Sequence, residues 1–231
     1  KYMELFKHTL FINLEARKDR LEHAEKEFKK MNITAERFNA VKLASGAVGC
    51  TMSHIKCLEL AKQRNYEQVF VCEDDIVFKN PELLKKNITK FSENKDIQWD
   101  VLIIGGNSVP PYMKVGDYCA RILNCQTTTG YIVKKSFYDI LINNMKEGVK
   151  HLMKEPENKR QYAIDIYWKR LQMQYFWYMI TPPTVSQYEN YSDIEGKNMS
   201  YDHLLLDMEK EWFIKQQREM QNKMSMNLTP R

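Results

Sequence analysis

The residues best suited to chemistry sit in one stretch, Gln68-Val69-Phe70-Val71-Cys72-Glu73-Asp74-Asp75-Ile76-Val77-Phe78. Its first half is a short, continuous apolar run, the pattern of a strand buried on both faces of a sheet. It ends in three consecutive acids. In an extended backbone side chains alternate, so Glu73 and Asp75 would point to one side and Asp74 to the other. Two carboxylates in one small volume raise each other's pKa or require a cation, and an all-oxygen donor set suits a hard ion such as Mn²⁺ or Mg²⁺. Such ions complete their shell with water and substrate phosphates, so the implied ligand is a metal-bound phosphate ester, most simply a nucleotide diphosphate. Acidic triplets also occur on solvated loops. Position favours a site here, because the carboxyl ends of buried strands are where ligands bind in open α/β sheets.

Two further segments could serve an anionic ligand. Residues 9–14 read as a first strand, followed by a turn that holds Asn13, Arg17, Asp19 and Arg20. A polar cluster at the end of a first parallel strand can hold a base or ribose, with an arginine available to phosphate; an ordinary helix start with solvated charges has the same composition. The segment 44–54 passes from a glycine-containing loop into a helix that runs to about residue 63, and the backbone N–H groups of such a start favour a pyrophosphate. Two glycines, Gly46 and Gly49, are a weak signal alone. His54 falls on the apolar stripe of Cys50, Cys57, Leu58 and Ala61, where a lone histidine is by default a satisfied structural residue, so Ser53 is the expected ligand contact.

The elements that must position these groups follow from apolar periodicity. A helix over 17–31 carries Leu21, Ala24, Phe28 and Met31 on one stripe. Asn80-Pro81 opens another helix, and 100–106 is a second buried strand ending in a glycine pair. This alternation predicts an α/β sheet with parallel strands. Residues 118–123 and 127–133 are expected to form an antiparallel pair, 163–171 one helix with Asp165 off its apolar face, 174–180 a strand and 181–188 an extended loop. From residue 200 the chain reads as helical, with Leu205, Met208 and Trp212 at core spacing and later turns exposed or bound to a partner.

Composition sets the limits. A chain of 231 residues with 43% hydrophobic and 12% aromatic residues is long enough for one domain with a good core. The net charge of +5 is spread along the chain, which suits anionic ligands, and no dense basic or aromatic-interleaved motif points to nucleic acid. No apolar run approaches a membrane span and no secretory signal is seen at the start. The five cysteines are odd in number and lie in apolar runs, so they read as buried free thiols of a reducing compartment. A cytoplasmic location is expected, or a lumenal one if the domain is excised from a longer chain; the sequons at Asn32, Asn87, Asn190, Asn198 and Asn227 carry little weight.

Taken together, the motifs resemble the glycosyltransferase family 25 domain, the group of lipopolysaccharide and procollagen β-galactosyltransferases. The resemblance rests on Phe11-Ile12-Asn13-Leu14 with Arg17, Asp19 and Arg20; on Gly49-Cys50 and Ser53-His54; on Glu73-Asp74-Asp75; on Thr127-Thr128-Thr129-Gly130-Tyr131; and on Asp165 and the segment from Val185-Ser186-Gln187 to Ser192-Asp193-Ile194. These landmarks span roughly residues 8 to 196, and the match around Asp165-Ile166-Tyr167-Trp168 is the loosest. The resemblance implies a Rossmann-like GT-A fold over 1–231, with 200–231 a C-terminal helical extension that could pair two copies as a homodimer. It also implies a UDP-sugar donor, Mn²⁺ or Mg²⁺ as cofactor, and a glycan or hydroxylated protein side chain as acceptor.

Carried onto this chain, Asn13, Leu14, Arg17, Arg20, Gly49, Ser53 and Asp74 would face the donor. Glu73 and Asp75 would hold the metal, with Gln187 or His203 as a third ligand. Family 25 enzymes are taken to invert the anomeric centre, which needs a general base for the acceptor hydroxyl; Asp165 is the candidate, and an aspartate stabilised in the first turn of a helix fits the same position. Trp168 and Tyr131 could stack on a sugar, although aromatics at this spacing also build cores. The expected activity is metal-dependent transfer of galactose or glucose. The alternatives are a catalytically silent nucleotide- or glycan-binding relative and a nucleotidyltransferase on a similar sheet.

Overall fold

The computed structural model describes residues 2–192 and 197–227. The chain runs through α1 (Tyr2–Leu5), β1 (Thr9–Asn13), α2 (Lys18–Lys30), β2 (Ala35–Asn39), α3 (Gly46–Gln63), β3 (Gln68–Glu73), β4 (Ile76–Phe78), α4 (Pro81–Glu93) and β5 (Val101–Ser108). It continues through β6 (Tyr112–Val115), β7 (Cys119–Ile122), β8 (Cys125–Lys134), α5 (Tyr138–Lys154), α6 (Lys159–Tyr162), α7 (Ile164–Tyr167), α8 (Lys169–Gln174), β9 (Trp177–Ile180), β10 (Val185–Gln187), β11 (Asn190–Ser192), β12 (Lys197–Met199), α9 (Asp202–Leu205) and α10 (Glu211–Asn227).

Eight strands form one mixed sheet in the order β2-β1-β3-β8-β5-β9-β7-β6. The β1–β2, β1–β3 and β5–β9 pairs are parallel, while β8 runs antiparallel to both of its neighbours, β3 and β5. The expected architecture, a single mixed sheet flanked by helices, is the one observed. Alternation along β3 shows why: Val69 and Val71 join the core shared with α3 and α5, and Phe70 and Cys72 join the core on the other face, against α2 and α4. All four are fully buried, each worth about 1.5–3 kcal/mol relative to exposure for side chains of this size. A strand apolar at every position can only lie between two helical layers.

Local signals fix the helix starts. The Ser45 side chain caps α3 by accepting from the Val48 N–H, and Asn80 caps α4 by accepting from Leu83 N–H, with Pro81 in the first turn. Gly49 is set by contact rather than by conformation: a Cβ there would lie 2.6 Å from the Val41 carbonyl oxygen. The first turn of α3 therefore packs directly on the loop after β2.

Several expectations are corrected. The strands at 118–123 and 127–133 do not pair with each other; β7 lies between β6 and β9, and β8 is inserted between β3 and β5. The helix expected over 163–171 is two short pieces, α7 and α8, joined at Trp168. The extended loop after residue 181 contributes β10, which pairs with β4. Leu205 and Met208 are buried as expected, but Trp212 is 39% exposed, and α10 contains no buried residue. The dimer expected through this segment finds no support in the fold. All five cysteines are free thiols. Among the described residues no helix is long and apolar enough to cross a membrane.

Candidate active site

Parallel pairing of β1 with β3 puts Ile12 opposite Glu73, so both strands end together. Asn13 ties the two ends: its Nδ2 donates to Asp74 Oδ2 at 2.8 Å and to the Arg17 carbonyl at 3.2 Å, and its Oδ1 accepts from Arg37 Nε at 2.8 Å. Arg20 Nη1 lies 3.3 Å from the other Asp74 oxygen. Asp74 is thereby fully engaged as the anchor of the turn. Arg17 instead pairs with Asp19 at 2.8 Å at the surface and holds that carboxyl down at about 2.

Above these ends lies a cavity of about 430 Å³. Ile12, Leu14, Val41 and Leu43 give it an apolar wall, Arg17, Arg20 and Lys42 bring positive charge, Gly46 brings the start of α3, and Ser53, His54, Glu73 and Asp74 close it. An apolar wall suits a flat base, while the cations and the amino end of an 18-residue helix suit phosphate. Leu14, Arg17, Arg20, Ser53 and Asp74 of the expected donor-facing set line this space; Asn13 and Gly49 do not line it but support it from behind. Ser53 is also engaged internally, donating to the Gly49 carbonyl and accepting from Val41 N–H, both at 2.8 Å.

The acidic triplet does not stay extended. The strand ends at Glu73, and Asp74 and Asp75 form a turn into β4. Glu73 Oε1 accepts a 2.5 Å hydrogen bond from the Thr128 hydroxyl and lies 3.3 Å from His54 Nε2. His54 is fully buried, and its Nδ1 lies 2.7 Å from the Tyr131 hydroxyl, so the default structural reading of this histidine describes its bonds. Asp75 is different. It is buried, and its Oδ1 has no hydrogen-bond partner. Burial, then the nearby Glu73 charge, push its pKa up to about 7, with Arg20 opposing. A buried carboxylate oxygen without a donor is costly, and a hard divalent cation would relieve it. Asp75 and Glu73 therefore fit an Mn²⁺ or Mg²⁺ ion by donor type.

The later candidates are placed less uniformly. Asp165 accepts from the Thr127 N–H at 2.9 Å and lines a second cavity of about 220 Å³, to which Glu73, Cys50 and Thr128 also contribute. Gln187 donates from Nε2 to the Thr129 hydroxyl at 3.0 Å, next to the Thr128 that holds Glu73. His203 is exposed and packs on Trp212, ring centroids 5.8 Å apart; among the described residues no hydrogen bond or ring contact joins it to the triplet. Trp168 and Tyr131 are fully buried and pack edge to face at 5.3 Å, so they are core and not a sugar platform. Asp193 and Ile194 lie outside the described residues. Sequence reasoning passed over Arg37 and Lys42, and it named Thr128 as part of a landmark without foreseeing its bond to Glu73. Arg37 belongs to a half-exposed strand with no apolar pattern, and the pairing of Thr128 with Glu73 follows only once β8 is known to lie beside β3.

Comparison with known proteins shows what part of this geometry is similar to. Residues 41–106 match the model of the family described as "Glycosyltransferase family 25 (LPS biosynthesis protein)", so the domain is glycosyltransferase family 25-like over the segment that runs from the cavity loop through α3, β3 and the acidic turn into β5. A Haemophilus influenzae protein whose name goes no further than glycosyltransferase is 42% identical over 52 residues, 22% of this chain and 18% of the relative. The chain thus matches about a fifth of the length of that curated relative. Among solved structures, A197 from STIV is 15% identical with a TM-score of 0.45, covering 88% of this chain and 95% of that one. A glycosyltransferase involved in glycosylation of the major capsid of PBCV-1 is 12% identical with a TM-score of 0.41, covering 75% and 92%. Both scores lie below 0.5, and the fold assignment rests on the sheet itself.

Proposed function

We propose that this domain transfers a hexose, galactose or glucose, from a UDP-sugar to a hydroxyl of a glycan or of a hydroxylated protein side chain, with a divalent metal at the acidic turn and inversion at the anomeric carbon. The observation that carries this reading is the unpartnered, buried Asp75 oxygen in the same acidic turn whose Glu73 and Asp74 line a cation-rimmed, apolar-walled cavity at the ends of two parallel strands. Asp75 and Glu73 would hold Mn²⁺ or Mg²⁺, and Gln187 is the nearest candidate for a third ligand. When bound, the metal supplies charge stabilisation to the leaving diphosphate without proton transfer.

The chain's own residues do the rest. Ile12, Leu14, Val41 and Leu43 face the base, and Arg17 and Lys42 face the phosphates. Asn13 and Arg20 hold Asp74 and so keep the turn in place. Asp165 takes the proton from the acceptor hydroxyl; the hydrogen bond from Thr127 fixes this carboxylate beside the second cavity, which shares Glu73 with the first.

The test is UDP release from a panel of UDP-sugars, with and without Mn²⁺, using water as the default acceptor. Metal-dependent hydrolysis of one donor is the expected result and names the sugar. If no UDP-sugar is hydrolysed and UDP with Mn²⁺ fails to raise the melting temperature, the catalytic reading is lost to that of a silent binding relative.

A further inference from the structure

The metal-binding capacity of the site does not end at the oxygen ligands of the acidic turn. Among the described residues, one group of side chains brings three metal-ligating atoms of mixed chemistry together: a sulfur of Cys50, a ring nitrogen of His54 and a carboxylate oxygen of Glu73, all within 4.8 Å of one another. We propose that Cys50, His54 and Glu73 form a site for a thiophilic divalent cation, Zn²⁺ above all, separate in ligand chemistry from the oxygen site at Asp75 and sharing Glu73 with it.

The fold builds this group from two directions. Cys50 and His54 are four residues apart on α3, so they project from one face. Glu73 meets them from the end of β3. Tetrahedral zinc with bonds of about 2.0–2.3 Å needs ligand atoms roughly 3.3–3.8 Å apart. His54 Nε2 and Glu73 Oε1 already stand at 3.3 Å, and the thiol lies within 4.8 Å of both partner atoms.

The supporting shell is in place as well. Zinc-bound histidines are typically oriented through their second ring nitrogen, and bound carboxylates through further hydrogen bonds. Here the Tyr131 hydroxyl lies 2.7 Å from His54 Nδ1, and the Thr128 hydroxyl donates to Glu73. Tyr131 and Thr128 both come from β8, and Tyr131 is locked against Trp168. Three protein ligands leave a fourth position. Cys50, His54 and Glu73 all line the cavity of about 430 Å³ at the strand ends, so that position opens where a water or a phosphate oxygen can reach it. Sulfur and imidazole select zinc over manganese and magnesium, which prefer oxygen. Since Glu73 also serves the metal of the proposed reaction, zinc at this site would withdraw it; in this consequence alone the inference rests on the proposed function.

The experiment is titration of the metal-free full chain with Zn²⁺ against a chromophoric chelator, and with Co²⁺ followed by absorption. One Zn²⁺ per chain is expected, together with a thiolate-to-cobalt charge-transfer band in the near ultraviolet. Cys50→Ser should abolish the band and weaken Zn²⁺ by at least about tenfold, a loss at the upper end of or beyond that of an outer-shell partner. His54→Gln should weaken it similarly, and Asp75→Asn should leave the band intact. Absence of the band in the unmodified chain, or its survival in folded Cys50→Ser, overturns the assignment. The band with no UDP-sugar turnover would remove the proposed reaction and keep this site; metal-dependent turnover with no band would do the reverse.

Discussion

Helices α3 and α10 are nearly equal in length, 18 and 17 residues, yet nine residues of α3 are buried and none of α10 is. Both carry polar residues along their length, so length and mixed composition do not separate them. The difference lies in the small residues of α3. Gly49, Cys50, Ser53 and Ala61 let it approach the sheet and the Val41 loop closely, and that approach brings His54 to Glu73 and Tyr131. The contacts that join α10 to the body are well defined at its beginning. The buried Lys210 donates from Nζ to the carbonyls of Ser108 at 2.8 Å, Leu204 at 2.7 Å and Asp207, and Trp212 donates to Asp207 at 3.2 Å. Of the two helices, α3 is the one that lines the cavity, through Gly46, Cys50, Ser53 and His54.

Four experiments can break or sharpen this contrast. The largest effect is expected beside α3: Asp75→Ala should lower metal-dependent kcat on the order of 10²–10³-fold, the cost of losing one group that stabilises transition-state charge. Because Asp75 is buried with an oxygen unpartnered, the same variant without metal should melt no lower than the unmodified chain. Full activity would remove Asp75 from the site. Next, Lys210→Met should cost about 2 kcal/mol in urea unfolding, since it leaves carbonyl groups unpaired in a buried place. A neutral result would mean that the body holds α10 by other contacts.

Gly49→Ala should cost about 1–2 kcal/mol, because its Cβ would meet a backbone oxygen at 2.6 Å and the loop must give way. Denaturant midpoints compared with an Ala substitution on α10, such as Gln217→Ala, would measure the contrast directly. The smallest effect is expected from ending the chain after Ile214. Only exposed turns are removed among the described residues, so stability should change by no more than about 0.5 kcal/mol. A drop in melting temperature well beyond that would show that α10 packs in solution on something, another copy included.

The parts legible in the sequence are those where one physical signal dominates. Leu10 and Phe11 of β1, Val69 to Cys72 of β3 and Val101 to Ile104 of β5 are fully buried runs, and no other element can absorb such a run. The start of the helix at Asn80-Pro81 was legible from its first-turn proline, while the Ser45 cap of α3 emerges only from the structure. Strand β2, Ala35-Glu36-Arg37-Phe38-Asn39, was missed because it is an edge strand with exposed positions on both faces, so it carries no apolar alternation. The 118–133 region misled for a different reason. Two strands two residues apart look like a hairpin, and only long-range pairing can move one of them elsewhere in the sheet.

The site divides the same way. The triplet was visible as residue type and position, but alternation failed at Glu73 because the chain turns there. Asp74 was expected to point away from its neighbours and proves to be the anchor, held by Asn13 and Arg20. That role depends on two residues more than fifty positions away, and no local pattern encodes it.

Strand β8 has a consequence for the order in which the molecule can be made. It lies between β3 and β5, and both precede it in the chain. A chain emerging from the ribosome must therefore keep the edges of β3 and β5 unpaired until residue 134 is available, and open edges of apolar strands are sites of mispairing and aggregation. The same strand brings Thr128 to Glu73 and Tyr131 to His54. The contacts of the cleft are thus assembled only when β8 enters between its two neighbours, and a slipped β8 would leave Glu73 and His54 without these partners.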